Sequence, residues 1–367
     1  MKYIYQHIDW PDFIWEKGKV INLLGDVRNK QGRLLGRMES IGFDLQSDAI
    51  LDTMTLEVVK SSEIEGEILS LEMVRSSVAR HLGIEILNPV ESGRNVEGMV
   101  GMIIDATENY QSALTSERLF AWHSSFFATG GSKLARITAG AWRKDIKGPM
   151  QVVSGAIGKE TVHFQAPSAS LVELEMEEFI TWFNQEDNTD QIIKSAIAHL
   201  WFITIHPFED GNGRIARVLA DLLLARSDKT NQRFYSMSAQ IRTERKEYYR
   251  ILEKTQKGGL DITEWILWYL NCLMNALKSA ESVLTKVLQK ADFWRNNSYI
   301  ILNERQRSML SRLLEGFEGK LNTSKWATIT KCSSDTALRD IQYLLNKGLL
   351  QKDEKAGGRS TNYILNQ

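Results

Sequence analysis

Apolar side chains along this chain recur mostly at three- and four-residue intervals, which predicts a mainly α protein. Pro11 follows Trp10 between two aspartates, an expected helix start, and Trp15, Val20, Leu23, Leu24 and Val27 continue at helical spacing. A second helix is predicted over 49–65, with Ile50, Met54, Val58 and Ser61 on one face and Gly66 free to end it left-handed. Ser70 suits the N-cap of a third, through Leu71, Val74 and Val78. Met99, Met102, Ile103 and Ala106 form the next stripe, and Ser116 is the expected cap of a helix carrying Leu119, Trp122, His123 and Phe126. Further helices are predicted over 171–183, 191–204 and 244–256, after Arg214 (Ile215, Val218, Leu219, Leu222, Leu223), and from Thr263 onward.

The pattern changes twice. Residues 130–167 are rich in glycine and β-branched residues, and 150–155 and 160–164 read as two strands across a Gly155–Gly158 turn. Such a hairpin is marginal alone and should lean on the helical body, as a surface ornament or as a flap over a site. The last 65 residues predict helices over 304–316, 324–330 and 335–346, the third capped by Ser333 or Ser334. A hairpin of 349–352 and 361–365 around Lys355-Ala356-Gly357-Gly358-Arg359 completes a winged helix-turn-helix. The expected domains are therefore 1–92 (helical), 93–280 (a larger helical core with the hairpin), 281–302 (a helical connector) and 303–367 (the winged helix).

Charge alters this picture little. The chain of 367 residues carries a net −1, so no global field argues for nucleic acid or membrane. Residues 303–367 are mildly basic, with eleven Lys and Arg against seven Asp and Glu. Two distant cysteines, Cys272 and Cys332, suggest neither a disulfide framework nor a zinc site. No apolar leader or membrane-length run is visible, and the expected compartment is cytoplasmic.

One stretch concentrates chemistry: His206-Pro207-Phe208-Glu209-Asp210-Gly211-Asn212-Gly213-Arg214-Ile215-Ala216-Arg217. Glycines at 211 and 213 let backbone approach a ligand, and the helix that follows points free N–H groups and its positive end at the loop. Arg214 and Arg217, one turn apart, match phosphate oxygens. Asp210 is a hard oxygen ligand suited to Mg²⁺ on a polyphosphate. His206, ended by Pro207, can take a proton from an attacking hydroxyl. Each residue alone reads equally well as packing or turn chemistry; the ordered conjunction does not. Ser61 and Glu65 share a helix face near Gly66, and a carboxylate at a helix C-terminus opposes the dipole, so Glu65 should seek a cation. By itself His123 reads as a packed or capping histidine.

The 206–217 stretch resembles the Fic family signature, H-P-F-x-[D/E]-G-N-G-R-x-x-R, at every fixed position. Ser61-x-x-x-Glu65-Gly66 is similar to the family's inhibitory motif, [S/T]-x-x-x-E-[G/N], in the class with an N-terminal inhibitory helix. The segment from Tyr3 to Trp15 resembles the helical region that often precedes Fic, Gly140-Ala141-Trp142-Arg143 resembles a G-x-x-R element, and the hairpin falls where the family keeps its target-docking flap. The resemblance implies an autoinhibited protein adenylyltransferase that moves AMP from ATP to a Ser, Thr or Tyr hydroxyl and releases pyrophosphate. His206 would be the base and Asp210 the Mg²⁺ ligand. Gly211, Asn212 and Gly213 would cradle the α- and β-phosphates, with Arg214 on the β- and Arg217 on the γ-phosphate. Glu65, Val153, Ser154, Tyr248 and Tyr249 would complete the nucleotide site, and Gln256 could lie near the adenine. Glu65 has no cation one turn away on its own helix, and Arg217 could supply it. In some relatives the same glutamate orients a water that removes AMP. The partners implied are ATP, an unknown target protein and the chain itself, by self-AMPylation; that self-modification and an exposed apolar connector lead to the expectation of a homodimer. The alternative is a nucleotide-sensing regulator that binds DNA through Arg339, Lys355 and Arg359.

Overall fold

The computed structural model describes residues 2–86, 89–127, 137–146, 148–155, 158–314, 317, 319–353 and 361–366. The chain divides into two compact units, 1–281 and 282–367. It is mainly helical, with two small antiparallel sheets among the described residues.

The first unit begins with a 3-10 turn (Ile4–Gln6) and α1 (Lys17–Glu39), α2 (Phe43–Ile64), α3 (Leu71–Leu82), α4 (Arg94–Glu108) and α5 (Ser116–Phe127). A hairpin of β1 (Gln151–Ser154) and β2 (Thr161–Gln165) follows, then α6 (Ala169–Asn184), α7 (Gln191–Ile205), α8 (Asn212–Asp228), α9 (Met237–Thr243) and α10 (Arg245–Gln256). The division between the units falls inside α11 (Thr263–Asn296). The centre is the α7–α8 pair. Every residue of α7 from Ile192 to Ile205 is buried, as a helix enclosed on all sides must be. The loop 206–211 joining α7 to α8 is thus clamped at both ends by core.

Several local expectations need correction. The first helix begins at Lys17, not at Pro11. Residues 7–13 run through local turns (Trp10 N–H to His7 O, 3.2 Å; Asp12 N–H to Asp9 O, 2.7 Å), after which Ile14 N–H donates to Leu260 O (3.0 Å) and Ile262 N–H to Ile14 O (2.9 Å), while Trp10 and Phe13 pack on Trp201. The cap of α5 is Thr115, whose Oγ1 accepts from Arg118 N (3.2 Å); Ser116 is already helical. Helix α9, which the polar run before it concealed, is capped by Ser236. Ser70 does cap α3, accepting from Met73 N at 3.4 Å.

The hairpin pairs Val152 with Phe164 and Val153 with Val162 across a bulge. Phe164 is buried beneath it and packs edge-on against Tyr3 and Tyr5. The N-terminal turn is therefore the hairpin's floor. The turn residues 156 and 157 and the glycine pair Gly130-Gly131 lie outside the described residues.

The second unit contains α12 (Glu304–Leu314), α13 (Thr323–Thr330), α14 (Ser334–Asn346), β3 (Leu350–Lys352) and β4 (Tyr363–Leu365). Ser333 caps α14, accepting from Thr336 N. Met309, Leu310, Trp326, Ile341 and Leu344 form its apolar core, and Leu321 bridges to Tyr363 beside the hairpin. Arg339 is exposed on α14. Lys355 and Arg359 lie outside the described residues.

Candidate functional site

His206 ends α7 in a left-handed conformation (φ 54), so the chain turns sharply into the loop. Its Nδ1 lies 3.3 Å from Ile203 O. A carbonyl only accepts, so Nδ1 carries the hydrogen and Nε2 is left with its lone pair. Desolvation lowers the His206 pKa to about 4, with Arg143 adding to the effect against the Ile203 hydrogen bond and Glu65, so the ring is neutral near pH 7. A neutral imidazole with a fixed tautomer is what a general base requires.

Three devices shape the loop. Asn212 clasps Phe208, its Oδ1 accepting from Phe208 N (2.9 Å) and its Nδ2 donating to Phe208 O (2.8 Å). Arg143, 1% exposed, donates Nε to His206 O (2.7 Å), and its backbone N–H reaches Pro207 O (2.8 Å). His123 stacks on Phe208, accepts Gly140 N–H at Nδ1 (3.0 Å) and donates from Nε2 to Asp210 O (3.2 Å). Burial lowers its pKa to about 4, and the two bonds demand one neutral tautomer. His123 thus serves the loop, which its place on an apolar helical face did not disclose. Gly211 (φ 80) has no room for a side chain either, because a Cβ would meet Phe126 at 2.7 Å.

At the start of α8 a carboxylate already sits in the anion position. Glu65, the C-cap residue of α2, places Oε1 2.8 Å from Arg217 Nη1. A Cβ at Gly213 would lie 2.2 Å from that same oxygen, so the carboxylate rests directly on the first turn of α8. A carboxylate ill-placed at one helix's negative end is received by another's positive end. Ser61 adds to the grip, with its Oγ accepting from Arg217 Nε (3.0 Å) and its carbonyl from Nη2 (2.9 Å). Burial alone would depress the Arg217 pKa; Glu65 and Tyr248 outweigh it and leave it raised.

Arg214 Nη1 pairs with Glu67 (2.8 Å), its Nη2 is 4.0 Å from Asp210, and its guanidinium lies over the rings of Phe126 and Phe127. Glu67 was not singled out by the sequence pattern. Asp210 is more than half exposed, and its Oδ1 accepts Gly211 N–H at 2.6 Å. Among the described residues no three His, Cys, Asp or Glu side chains cluster as a metal cage. A single exposed carboxylate does fit Mg²⁺, which keeps waters and takes further ligands from substrate phosphates.

The tyrosine pair divides. Tyr248 is buried with its hydroxyl 3.0 Å from His199 Nε2, while Tyr249 is part-exposed and donates to Ile64 O at 3.4 Å. Gln256 is buried and donates to Thr204 Oγ1 (3.2 Å). Val153 and Ser154 are exposed on the hairpin. Ser154 Oγ lies 2.6 Å from His163 Nε2, and His163 Nδ1 lies 2.9 Å from Glu253, which ties the hairpin to α10.

This geometry, a histidine and an anion cradle between two core helices, coincides with similarity to known proteins. The family model described as Fic/DOC family matches residues 113–224, and one described as a domain of unknown function (DUF4172) matches residues 3–84. The chain thus carries a Fic/DOC domain over residues 113–224. Protein adenylyltransferase fic-1 from Caenorhabditis elegans is 28% identical over 211 residues, covering 57% of this chain and 38% of that protein. A probable protein adenylyltransferase from Aquifex aeolicus is 24% identical over 224 residues, covering 61% of this chain and 62% of that protein. The chain therefore spans less than two thirds of these relatives. A crystal structure of a Fic family protein from Desulfovibrio desulfuricans G20 shares the fold, with a TM-score of 0.52 at 20% identity over 94% of this chain and 95% of that one. The two matched regions meet at the site, Glu65 coming from the first and Arg217 from the second.

Proposed function

We propose that this chain is an autoinhibited protein adenylyltransferase, transferring AMP from ATP to a Ser, Thr or Tyr hydroxyl of a protein with release of pyrophosphate. The observation that carries the reading is the Nε2 lone pair of neutral His206 beside the α8 N-terminus, with Arg214 and Arg217 on its first turns. The α8 backbone and the two arginines bind and orient the polyphosphate, and His206 Nε2 takes the proton of the incoming hydroxyl. Asp210 would hold Mg²⁺, which neutralises phosphate charge. Such transfer depends mostly on positioning and electrostatic stabilisation. The two relatives described above are named protein adenylyltransferase and probable protein adenylyltransferase, which favours ATP as donor.

Autoinhibition is our reading of Glu65. A carboxylate resting on Gly213 and paired with Arg217 occupies the place of a phosphate, so nucleotide must displace it. The α-labelled nucleotides ATP, GTP, CTP and UTP, each supplied with Mg²⁺, test donor and reaction together: label should pass to protein from ATP and not when His206 is alanine. Equal labelling from UTP or with His206→Ala would reject the assignment. The exposed Arg339 on α14 favours, as a second function, duplex DNA contact by the 282–367 unit. Affinity for random duplex that drops steeply between 50 and 200 mM salt would support it; salt-independent or absent binding would remove it.

A further inference from the structure

Glu65 is followed, one glycine later, by a second carboxylate with a second arginine. The helix α2 ends in a Schellman arrangement: Glu67 N–H donates to Ser62 O (3.0 Å) and Gly66 N–H to Glu63 O (3.1 Å), with Gly66 at φ 86. The backbone of Glu67 is therefore fixed by the helix end and is not part of a loose loop. Its side chain reaches Arg214 Nη1 at 2.8 Å, and Asn95 Nδ2 donates to its other oxygen at 3.3 Å. Arg214 is 10% exposed, with its guanidinium over the rings of Phe126 and Phe127, so a ligand meets it at the loop. Its Nε is buried and makes no hydrogen bond among the described residues, a donor still waiting for an acceptor. One helix terminus thus sends two carboxylates to two arginines that stand three residues apart on α8.

We propose that Glu67 is a second gating carboxylate, withholding Arg214 from a nucleotide's β-phosphate while Glu65 withholds Arg217. This rests on the reading of the loop as a polyphosphate site. The consequence is a graded lock. Freeing Arg217 alone leaves one arginine still paired, and full affinity for the polyphosphate requires both carboxylates to leave. Glu67 is more than one third exposed, so it can be displaced by a competing anion at modest cost. Asn95, at the start of α4, is the positioning residue that steers the carboxylate to its arginine.

A phosphate ladder reads each arginine separately. Titration calorimetry of the full chain with AMP, ADP and ATP, each with Mg²⁺, is run on wild type, Glu67→Gln, Asn95→Ala, Glu65→Gly and the Glu65→Gly/Glu67→Gln double variant. Glu67→Gln should tighten ADP by about five- to tenfold and leave AMP unchanged. Asn95→Ala should shift ADP the same way by less, and the double variant should bind ATP more tightly than either single one. Unchanged or weaker ADP binding in Glu67→Gln, in a protein that melts like wild type, overturns the proposal, because Glu67 would then support Arg214 or be idle. So does an absence of nucleotide binding in every variant. Radiolabel transfer is scored separately: a ladder that shifts as stated while no variant transfers AMP rejects the adenylyltransferase reading and leaves the gate standing.

Discussion

Two buried arginines near α8 differ in the carboxylates that hold them. Arg233, 3% exposed, is held by Asp221 (2.7 Å) and Asp228 (3.2 Å) and lies over the ring of Tyr235. Tyr235 and Gln31 in turn hold Asp228, and Ser236 and Ser238 hold the nearby Glu57. Every acceptor in that plug is itself buried. Arg217 is equally buried, but its counter-charge is Glu65, at a helix end and 31% exposed. Its Nη1 is close to Glu65 without an aligned hydrogen bond. Burial of the cation does not separate the two; the exposure of the partner does.

The comparison can be broken at several points. The largest effect is expected at the plug. Arg233→Met leaves Asp228 uncompensated in the interior, and removing one partner of a buried pair costs about 3–5 kcal/mol. A melting experiment should show Tm lower by roughly 10 °C; a Tm near wild type would mean that the plug is not structural. At the gate, His206→Ala should keep the wild-type Tm and lower AMP transfer by about 10²–10⁴-fold.

Acid should act on the site's own histidines. Burial lowers the pKa of His123 to about 4, and that of His199 to about 3, as it does for His206. Between these values and the unfolded 6.5 only the unfolded chain binds the protons, so stability falls as pH drops from 6.5 toward 4. Melting curves across that range should show it, and the transfer rate should lack a histidine limb near 6.5. The smallest change is expected at Asp221. Burial and the neighbouring Glu57 carboxylate raise its pKa, against the pull of Arg233. Asp221→Asn keeps an oxygen acceptor for Arg233, which Asp228 also holds, and should shift Tm far less than Arg233→Met; an equal loss would show that the plug needs the Asp221 charge.

Which parts were legible in the sequence follows the same division. The 206–217 loop was visible because its chemistry is contiguous, and α7 and α8 because apolar periodicity flanks it. Ser70 and the hairpin registered through local cap and turn chemistry. What escaped depends on distance along the chain. Ile14 bridges to Asp261 and keeps residues 10–16 out of a helix, and no local signal announces that pairing. His123 is 87 residues from the loop carbonyl it supports, and Glu67 is 147 from Arg214. Glu67 sits beyond a glycine on no periodic face, so only the folded helix end reveals where it points.

The central claim is that Glu65 withholds a competent site. Intact mass of the Glu65→Gly protein, incubated with ATP and Mg²⁺ beside wild type, tests it most directly. The account predicts a gain of one AMP moiety on the variant and little or none on wild type. A folded Glu65→Gly protein that gains no more AMP than wild type would contradict it.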